Sequence, residues 1–268
     1  TPLIQQKYIT VILLLLIIGY QVYWAIRNQS QSLSVISVLF SLTVAMVTDT
    51  THLMLPLVTI TAAVSVYYFY RFRWQPLVII TILLTYFTFI LWLFGNPFFG
   101  HKMGMISDHQ NGIIYLFLLG ACYSSILLFR RKESTSDDFF IGVTFTNGIL
   151  FTLLLALTVL KFFANDYVVL FLTITIACLL FSILLHSRSD WNFTSAFYSL
   201  YGFMAMSIAL YGLFGYPRIY FLLSVQSLLV VSLALWFRNR LIVVMNSLLF
   251  LAILMVYLLS AKSIDSAN

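Results

Sequence analysis

Charged residues are scarce in this sequence of 268 residues. They make up 8% of the chain and hydrophobic residues 62%, whereas a soluble domain has roughly 25% charged residues. So little polar surface cannot cover a fold in water, which excludes a soluble globular domain. The 14 basic and 8 acidic residues give a net charge of +6, but the basic ones stand singly or in small groups at the ends of apolar runs. We therefore expect no nucleic-acid partner and interpret these charges as membrane-orientation signals.

Cysteine, histidine and acidic residues are also few, and their positions exclude several kinds of site. Neither Cys122 nor Cys178 has a partner at CxxC spacing, so we infer neither a disulfide nor a cysteine metal site. No acidic residue lies in the middle of an apolar run, which argues against proton or sodium coupling through charged groups. No histidine lies mid-run, where a haem ligand of a membrane cytochrome would be. The sequence therefore predicts no cofactor.

Long apolar runs are what the sequence has in abundance. They recur from end to end with about 17 to 25 residues, the length that a helix needs to cross a hydrocarbon core of about 30 Å. They are continuous rather than alternating, as in residues 11–18, so they predict helices. We predict an all-α integral membrane protein with about ten transmembrane helices, short loops and a single polytopic domain over residues 1–268. The predicted spans are 8–26, 32–48, 53–70, 76–95, 111–129, 139–160, 167–185, 193–213, 219–237 and 241–259.

Lysine and arginine residues are divided unequally between alternate loops. One side collects Arg27, Arg71, Arg73, Arg130, Arg131, Lys132, Arg188, Arg238 and Arg240, and the other collects Lys7, Lys102, Lys161, Arg218 and Lys262. Cytoplasmic loops carry the excess of basic residues. We therefore place the richer side in the cytoplasm of a bacterium, with the chain in the inner membrane and both termini on the exterior or periplasmic side.

Two similar hairpin tips recur 120 residues apart. Residues 94–97 read Phe-Gly-Asn-Pro and residues 214–217 read Phe-Gly-Tyr-Pro. A glycine followed two residues later by a proline ends a helix sharply. Because four predicted spans separate the two tips, both have the same orientation, and we predict a parallel repeat of a four-helix unit over 71–160 and 188–259. The alternative is that ordinary helix-end signals recur here by chance.

Polar residues on the predicted exterior side form a candidate site. Histidine and carboxylate together suit zinc or another divalent metal, and an Asp–His pair can serve as a general base. The spacing is not a metal signature, since HExxH is absent, and polar residues must lie in loops in any case. The candidate residues are Asp49, His52, His101, Asp108 and His109.

Four amides inside the predicted spans form a second candidate set. These residues, Gln21, Asn147, Gln226 and Asn246, carry neutral polar groups where lipid-facing residues would be apolar. One interpretation is hydrogen bonding between helices. The other is a neutral polar pathway for a substrate, lined in part by the abundant aromatic residues.

Aromatic and basic residues at the predicted helix ends give the chain a family resemblance. Residues 71–77 read Arg-Phe-Arg-Trp-Gln-Pro-Leu, and short sequences that begin with Phe-Arg recur at 129–132 and 237–240. This pattern resembles a group of predicted bacterial membrane proteins of unknown function that are built from strings of short hydrophobic hairpins. The resemblance implies a multi-pass membrane fold, and it implies no activity.

Three functional hypotheses follow from these patterns. The first is a non-catalytic subunit or scaffold of a larger membrane complex, with membrane lipids and other membrane-protein subunits as partners. It rests on the lack of intramembrane charge and of cofactor ligands. The second is a transporter or lipid-handling protein that uses the neutral amide and aromatic pathway. The third is a membrane enzyme that uses the exterior Asp/His cluster.

Overall fold

The computed structural model describes residues 7–48, 51–96, 112–129, 137–188, 192–214 and 218–237, together with Ser247 and Leu251. All regular structure within these ranges is helical. The helices are α1 (Lys7–Arg27), α2 (Gln31–Thr48), α3 (Thr51–Phe72), α4 (Gln75–Leu93), α5 (Gly112–Ser124), α6 (Asp137–Phe162), α7 (Tyr167–Arg188), α8 (Asn192–Leu213) and α9 (Arg218–Phe237). A 3-10 turn over Ser125–Phe129 continues α5.

The helices confirm the helical character of nine predicted segments. Seven of them, α2 to α8, are long and apolar enough to cross a membrane by length and composition, with α5 counted together with its 3-10 continuation. The tenth predicted segment, 241–259, lies outside the described residues except at Ser247 and Leu251. The all-helical fold class is therefore confirmed, and the number of ten spans stays a prediction.

The chain divides into two compact units, Thr1–Phe162 and Phe163–Asn268. In the first unit α3 packs against α2, α4 and α5, and α6 packs against α4 and α5. In the second unit α8 packs against both α7 and α9. The prediction of one domain over 1–268 is not tested by this division.

The end of α4 shows how the first hairpin tip terminates its helix. Gly95 and Asn96 have positive φ angles of 80° and 51°, the left-handed region that glycine and asparagine tolerate best. The Gly95 amide donates to the Trp92 carbonyl at 3.0 Å, and the Asn96 amide donates to the Leu91 carbonyl at 2.7 Å. This pair of bonds is a Schellman motif, which caps the last carbonyls of a helix. The predicted helix end is confirmed at this tip, and residues 215–217 of the second tip lie outside the described residues.

The turn between α1 and α2 forms the same pair of capping hydrogen bonds without a glycine. Gln29 has a φ of 49°, and its amide donates to the Ile26 carbonyl while the Ser30 amide donates to the Ala25 carbonyl, both at 3.3 Å. Ser30 is then the N-cap of α2, because its hydroxyl oxygen accepts from the Leu33 amide at 3.4 Å, as N-cap serines do. A short turn between α1 and α2 makes the two helices antiparallel neighbours.

Trp92 lies at a close approach between α4 and α5. Its side chain is 2% exposed, and its indole Nε1 donates to Thr51 Oγ1 at 3.0 Å, which fixes the ring between α3 and α4. A Cβ atom added at Gly112 would meet carbon atoms of this ring inside contact distance. The start of α5 can therefore lie against Trp92 only because residue 112 has no side chain.

We predict that Gly112→Ala destabilises the protein by about 1–3 kcal/mol, the usual cost of overpacking a filled interior. The matched control is Gly142→Ala in α6, where an added Cβ meets nothing within 4 Å. That control should be neutral or slightly stabilising, because alanine is the better helix former. Thermal unfolding of the two purified variants measures the difference, and equal midpoints would contradict the packing of Trp92 on Gly112.

Candidate functional site

The interior of the first unit is rich in hydroxyl groups. The residues concerned are buried and lie on α2, α3, α4 and α6: Ser34, Ser37, Ser41, Thr48, Thr51, Thr61, Ser65, Thr81, Thr85, Thr88, Thr144 and Thr158. Many of these hydroxyls donate to a carbonyl three or four residues earlier in their own helix, as Thr81 does to Leu77 at 2.7 Å. A hydroxyl bonded in this way needs no partner from another helix. Burying these groups is therefore compatible with apolar surroundings.

A smaller number of hydroxyls connect neighbouring helices. Ser41 and Thr61 share a hydrogen bond of 2.6 Å between α2 and α3. Thr85 and Tyr123 share one of 2.8 Å between α4 and α5. Bonds of this kind fix the rotation of one helix against the next, which apolar contacts alone specify poorly.

Asn147 joins three helices of the first unit. From α6, its Oδ1 accepts from the Tyr86 hydroxyl of α4 at 2.6 Å. Its Nδ2 donates to the Gly120 carbonyl at 3.3 Å and to Ser124 Oγ at 3.2 Å, both on α5. The side chain is 3% exposed, and both ends of its amide bond to protein groups. This arrangement is the one expected for helix packing.

The second unit has its own polar contacts. Ser182 of α7 donates to the Ser195 carbonyl at 2.7 Å, and its hydroxyl lies 2.6 Å from that of Ser199. Ser195 and Ser199 are four residues apart and so lie on one face of α8. These serines are not among the residues predicted from the sequence, although the spacing of Ser195 and Ser199 was a usable signal.

Gln226 is only partly satisfied in the second unit. Its Nε2 donates to the Phe203 carbonyl at 2.6 Å and to Ser207 Oγ at 2.8 Å, both on α8. Its Oε1 is buried and has no hydrogen-bond partner. Gln21 of α1 is half-buried, and its Oε1 also has no partner. The fourth amide, Asn246, lies outside the described residues.

The described residues include one member of the predicted exterior Asp/His cluster. His52 is exposed in the first turn of α3, while Asp49, His101, Asp108 and His109 lie outside the described residues. Among the residues that the structure describes, no three His, Cys, Asp or Glu side chains come together in a way that could hold a metal ion. The predicted metal or acid–base site therefore stays a prediction.

The aromatic and basic residues at the α3–α4 junction have a defined geometry. Arg73 has a φ of 60°, and its Nη1 donates to the Phe129 carbonyl at 2.9 Å. Its guanidinium carbon lies 5.1 Å from the centre of the Phe69 ring, a cation–π distance. The ring of Tyr70 also lies 5.0 Å from that of Phe129. Arg73 thus links the α3–α4 junction to the end of the 3-10 turn that continues α5.

No protein-family model, curated protein or solved structure matches this chain. The geometry described above is therefore the basis for a functional proposal. The resemblance to the multi-hairpin group of bacterial membrane proteins stays a prediction.

We predict that Asn147→Leu destabilises the protein by about 1–3 kcal/mol, because it removes the acceptor of the buried Tyr86 hydroxyl and the donor to the Gly120 carbonyl and to Ser124. Tyr86→Phe alone should cost about 1 kcal/mol, the usual contribution of one hydrogen bond. In the Asn147→Leu background, Tyr86→Phe should cost less than it does alone, since the hydrogen bond between the two side chains is already absent. A double-mutant cycle on thermal unfolding measures this coupling.

The control for this cycle is Thr43→Val. Thr43 is exposed on α2, and its hydroxyl bonds only to the Leu39 carbonyl of the same helix, at 2.9 Å. This change should leave the midpoint nearly unaltered. Strictly additive effects of the Asn147 and Tyr86 substitutions would show that the two side chains do not act as a pair.

Proposed function

We propose that the chain is an integral protein of a bacterial inner membrane and acts as a non-catalytic subunit or scaffold of a larger membrane complex. The observation that carries this proposal is the distribution of polarity in the fold. Buried hydroxyl and amide groups bond to helix carbonyls and to each other, whereas large apolar side chains cover the outside. Leu160 and Leu228 are 76% and 68% exposed. Such a surface is unfavourable in water and natural against lipid or against the helices of other subunits.

Helix α7 offers the clearest contact surface for another subunit. Val169, Ile176, Leu180 and Ile183 are each at least 60% exposed. Their spacings of seven, four and three residues place them along one side of the helix. We define these four residues as the α7 apolar face. It suits packing against an apolar helix of another subunit, with membrane lipid as the competing neighbour.

The placement of charge supports a structural role over a catalytic one. The carboxylates that the structure describes, Asp137, Asp138 and Asp166, lie at the start of α6 and in the turn before α7. The Asn147 amide, central in the first unit, is engaged with Tyr86 and α5. In the described part of the chain the interior is therefore organised for helix packing. The enzyme hypothesis depends on loop residues that are mostly outside that part.

One observation favours the transporter or lipid-handling alternative. Gln226 Oε1 is a buried acceptor without a partner, and a neutral substrate with a hydroxyl or amide donor could bond to it. This keeps transport as the second candidate function. Capture of partner subunits through the α7 apolar face, as against retention of a lipid or small molecule, separates the two candidates.

We predict that the protein purified from its native membrane in a gentle detergent carries a stoichiometric set of partner subunits, identified by mass spectrometry. A photo-crosslinking residue at Ile176 or Ile183, on the α7 apolar face, should join the protein to the same partner. The matched control is the same residue at Ile174, which is 2% exposed on the same helix and should give no intermolecular product. A lone protein that retains a lipid or small molecule would contradict the subunit role and favour transport.

The membrane orientation is testable with two introduced cysteines in a background of Cys122→Ala and Cys178→Ala. His52→Cys, in the exposed first turn of α3, should react with a membrane-impermeant maleimide in intact spheroplasts. Asn28→Cys, exposed after α1, should react only after permeabilisation, because Arg27 marks the predicted cytoplasmic side. The reverse pattern would overturn the orientation, and labelling of both sites in intact spheroplasts would contradict an intervening membrane.

A further inference from the structure

The exposed side chains of α1 change in character toward the end of the helix. The residues concerned are Leu16, Tyr20, Tyr23 and Arg27, and all four are exposed. Steps of four, three and four residues separate them, so they lie along one side of the helix. This side therefore passes from an aliphatic side chain to aromatic side chains and then to a cationic one.

The same order recurs on α3. Ile60, Tyr67 and Arg71 are exposed, and their spacings of seven and four residues again place them along one side of the helix. In both helices a tyrosine precedes the arginine by four residues, and the arginine follows the aliphatic residue by eleven residues. The recurrence indicates that the ends of the two helices have the same surroundings.

The two arginines lie at the same end of the first unit. Arg27 is the last residue of α1, and Arg71 lies in the last turn of α3. Helix α2 packs against both α1 and α3, and the connections between them are short. Each connection reverses the direction of the chain, so α1 and α3 run in the same direction and end on the same side.

The spacing along these two sides matches one leaflet of a membrane. At a rise of about 1.5 Å per residue, eleven residues span about 16 Å. Half of a hydrocarbon core of about 30 Å is about 15 Å. With Leu16 and Ile60 near the middle of the bilayer, the tyrosines lie toward the interface, where aromatic rings are enriched. The charged ends of Arg27 and Arg71 then reach the level of the lipid phosphates.

Both guanidinium groups are available to an anion at that level. Arg27 Nη1 lies 3.5 Å from the Tyr23 hydroxyl oxygen, to which it donates, and the hydroxyl keeps its own proton to donate. The guanidinium carbon of Arg71 lies 5.7 Å from the centre of the Phe72 ring. Among the described residues, neither arginine forms an ion pair with a carboxylate. Their positive charge is therefore uncompensated within this part of the chain.

We propose that Arg27 and Arg71 bind the headgroups of anionic phospholipids in the leaflet on this side of the membrane. A guanidinium offers paired donors that match the geometry of a phosphate, and the hydroxyls of Tyr23 and Tyr67 add neutral donors. The leaflet is the predicted cytoplasmic one, whose anionic lipids attract basic residues close to its surface. This proposal rests on the membrane location proposed above and is independent of the subunit role.

Native mass spectrometry tests the site on the purified protein in mild detergent, with equal amounts of phosphatidylglycerol and phosphatidylcholine added. The wild-type protein should retain phosphatidylglycerol in preference to phosphatidylcholine. Replacing both arginines, by Arg27→Gln and Arg71→Gln, should lower this preference by about fivefold for each arginine, the usual effect of one basic residue near an anionic surface. Equal retention of the two lipids by the wild type, or an unchanged preference in the double variant, would overturn the proposal.

The matched control is Lys161→Gln, which removes an exposed positive charge at the other end of α6. The Phe139 ring, at the start of α6, lies 5.1 Å from the Phe69 ring near the end of α3. Lys161 is 22 residues further along, or about 33 Å. Asp166, in the following turn, offsets its charge, so this variant should keep the wild-type preference. A loss as large as that of the double variant would contradict a site at Arg27 and Arg71.

A second pair of variants separates charge from structure. Arg27→Lys with Arg71→Lys keeps both positive charges and should retain most of the phosphatidylglycerol. A loss equal to that of the glutamine pair would show that charge does not hold the lipid, and the proposal would fail.

The outcome is distinguishable from that of the subunit proposal, because the measurement uses the protein separated from any partner. Its failure leaves the subunit role standing, and a failure to capture subunits leaves the lipid site standing. Lipid retention that persists without the two arginines and is lost with Gln226→Leu would assign the lipid to the transport candidate and overturn the surface site.

Discussion

The amide of Asn147 is the interaction on which the arrangement of α4, α5 and α6 depends. One side chain provides an acceptor for Tyr86 and donors for the α5 groups, so that a single amide joins three helices. The contact requires α5 and α6 to lie close together. An added Cβ at Gly120 would come within 2.8 Å of the Phe151 ring. Gly120 therefore lets the backbones of α5 and α6 approach closely. This approach in turn lets the short Asn147 side chain reach the Gly120 carbonyl.

Much of the helix inventory could be predicted from the sequence, because continuous apolar runs and their end signals are local properties. The end of α4 at Leu93, which Gly95 and Asn96 cap, follows from such a signal. The pairing of side chains between helices was not accessible in this way. Asn147 stood out as a polar residue in an apolar run, but Tyr86 did not stand out as its partner. In a helix that is apolar on all sides, the sequence carries no periodicity to show which face meets a neighbour.

The same limitation applies to the candidate sites. Gln226 and Asn147 look alike in the sequence, since both are amides inside apolar runs. In the structure Gln226 Oε1 has no hydrogen-bond partner, whereas Asn147 Oδ1 accepts from Tyr86. That difference arises from the rotation of α9 and α6 against their neighbours, which no local pattern encodes. The Ser182 contacts in the second unit are a similar case, since they combine one residue of α7 with two of α8.

The hydrogen bond from Arg73 to the Phe129 carbonyl has a consequence for biosynthesis. Donor and acceptor are 56 residues apart in the chain, and α4 and α5 are both synthesised between them. During translation, at about 5–20 residues per second, the α3–α4 junction therefore exists for several seconds before its acceptor leaves the ribosome. Until then, the Phe69 ring is a contact that the α3–α4 hairpin itself provides for the Arg73 side chain. Synthesis through Phe129 is thus required before this hydrogen bond can hold the α3–α4 junction against the end of the 3-10 turn.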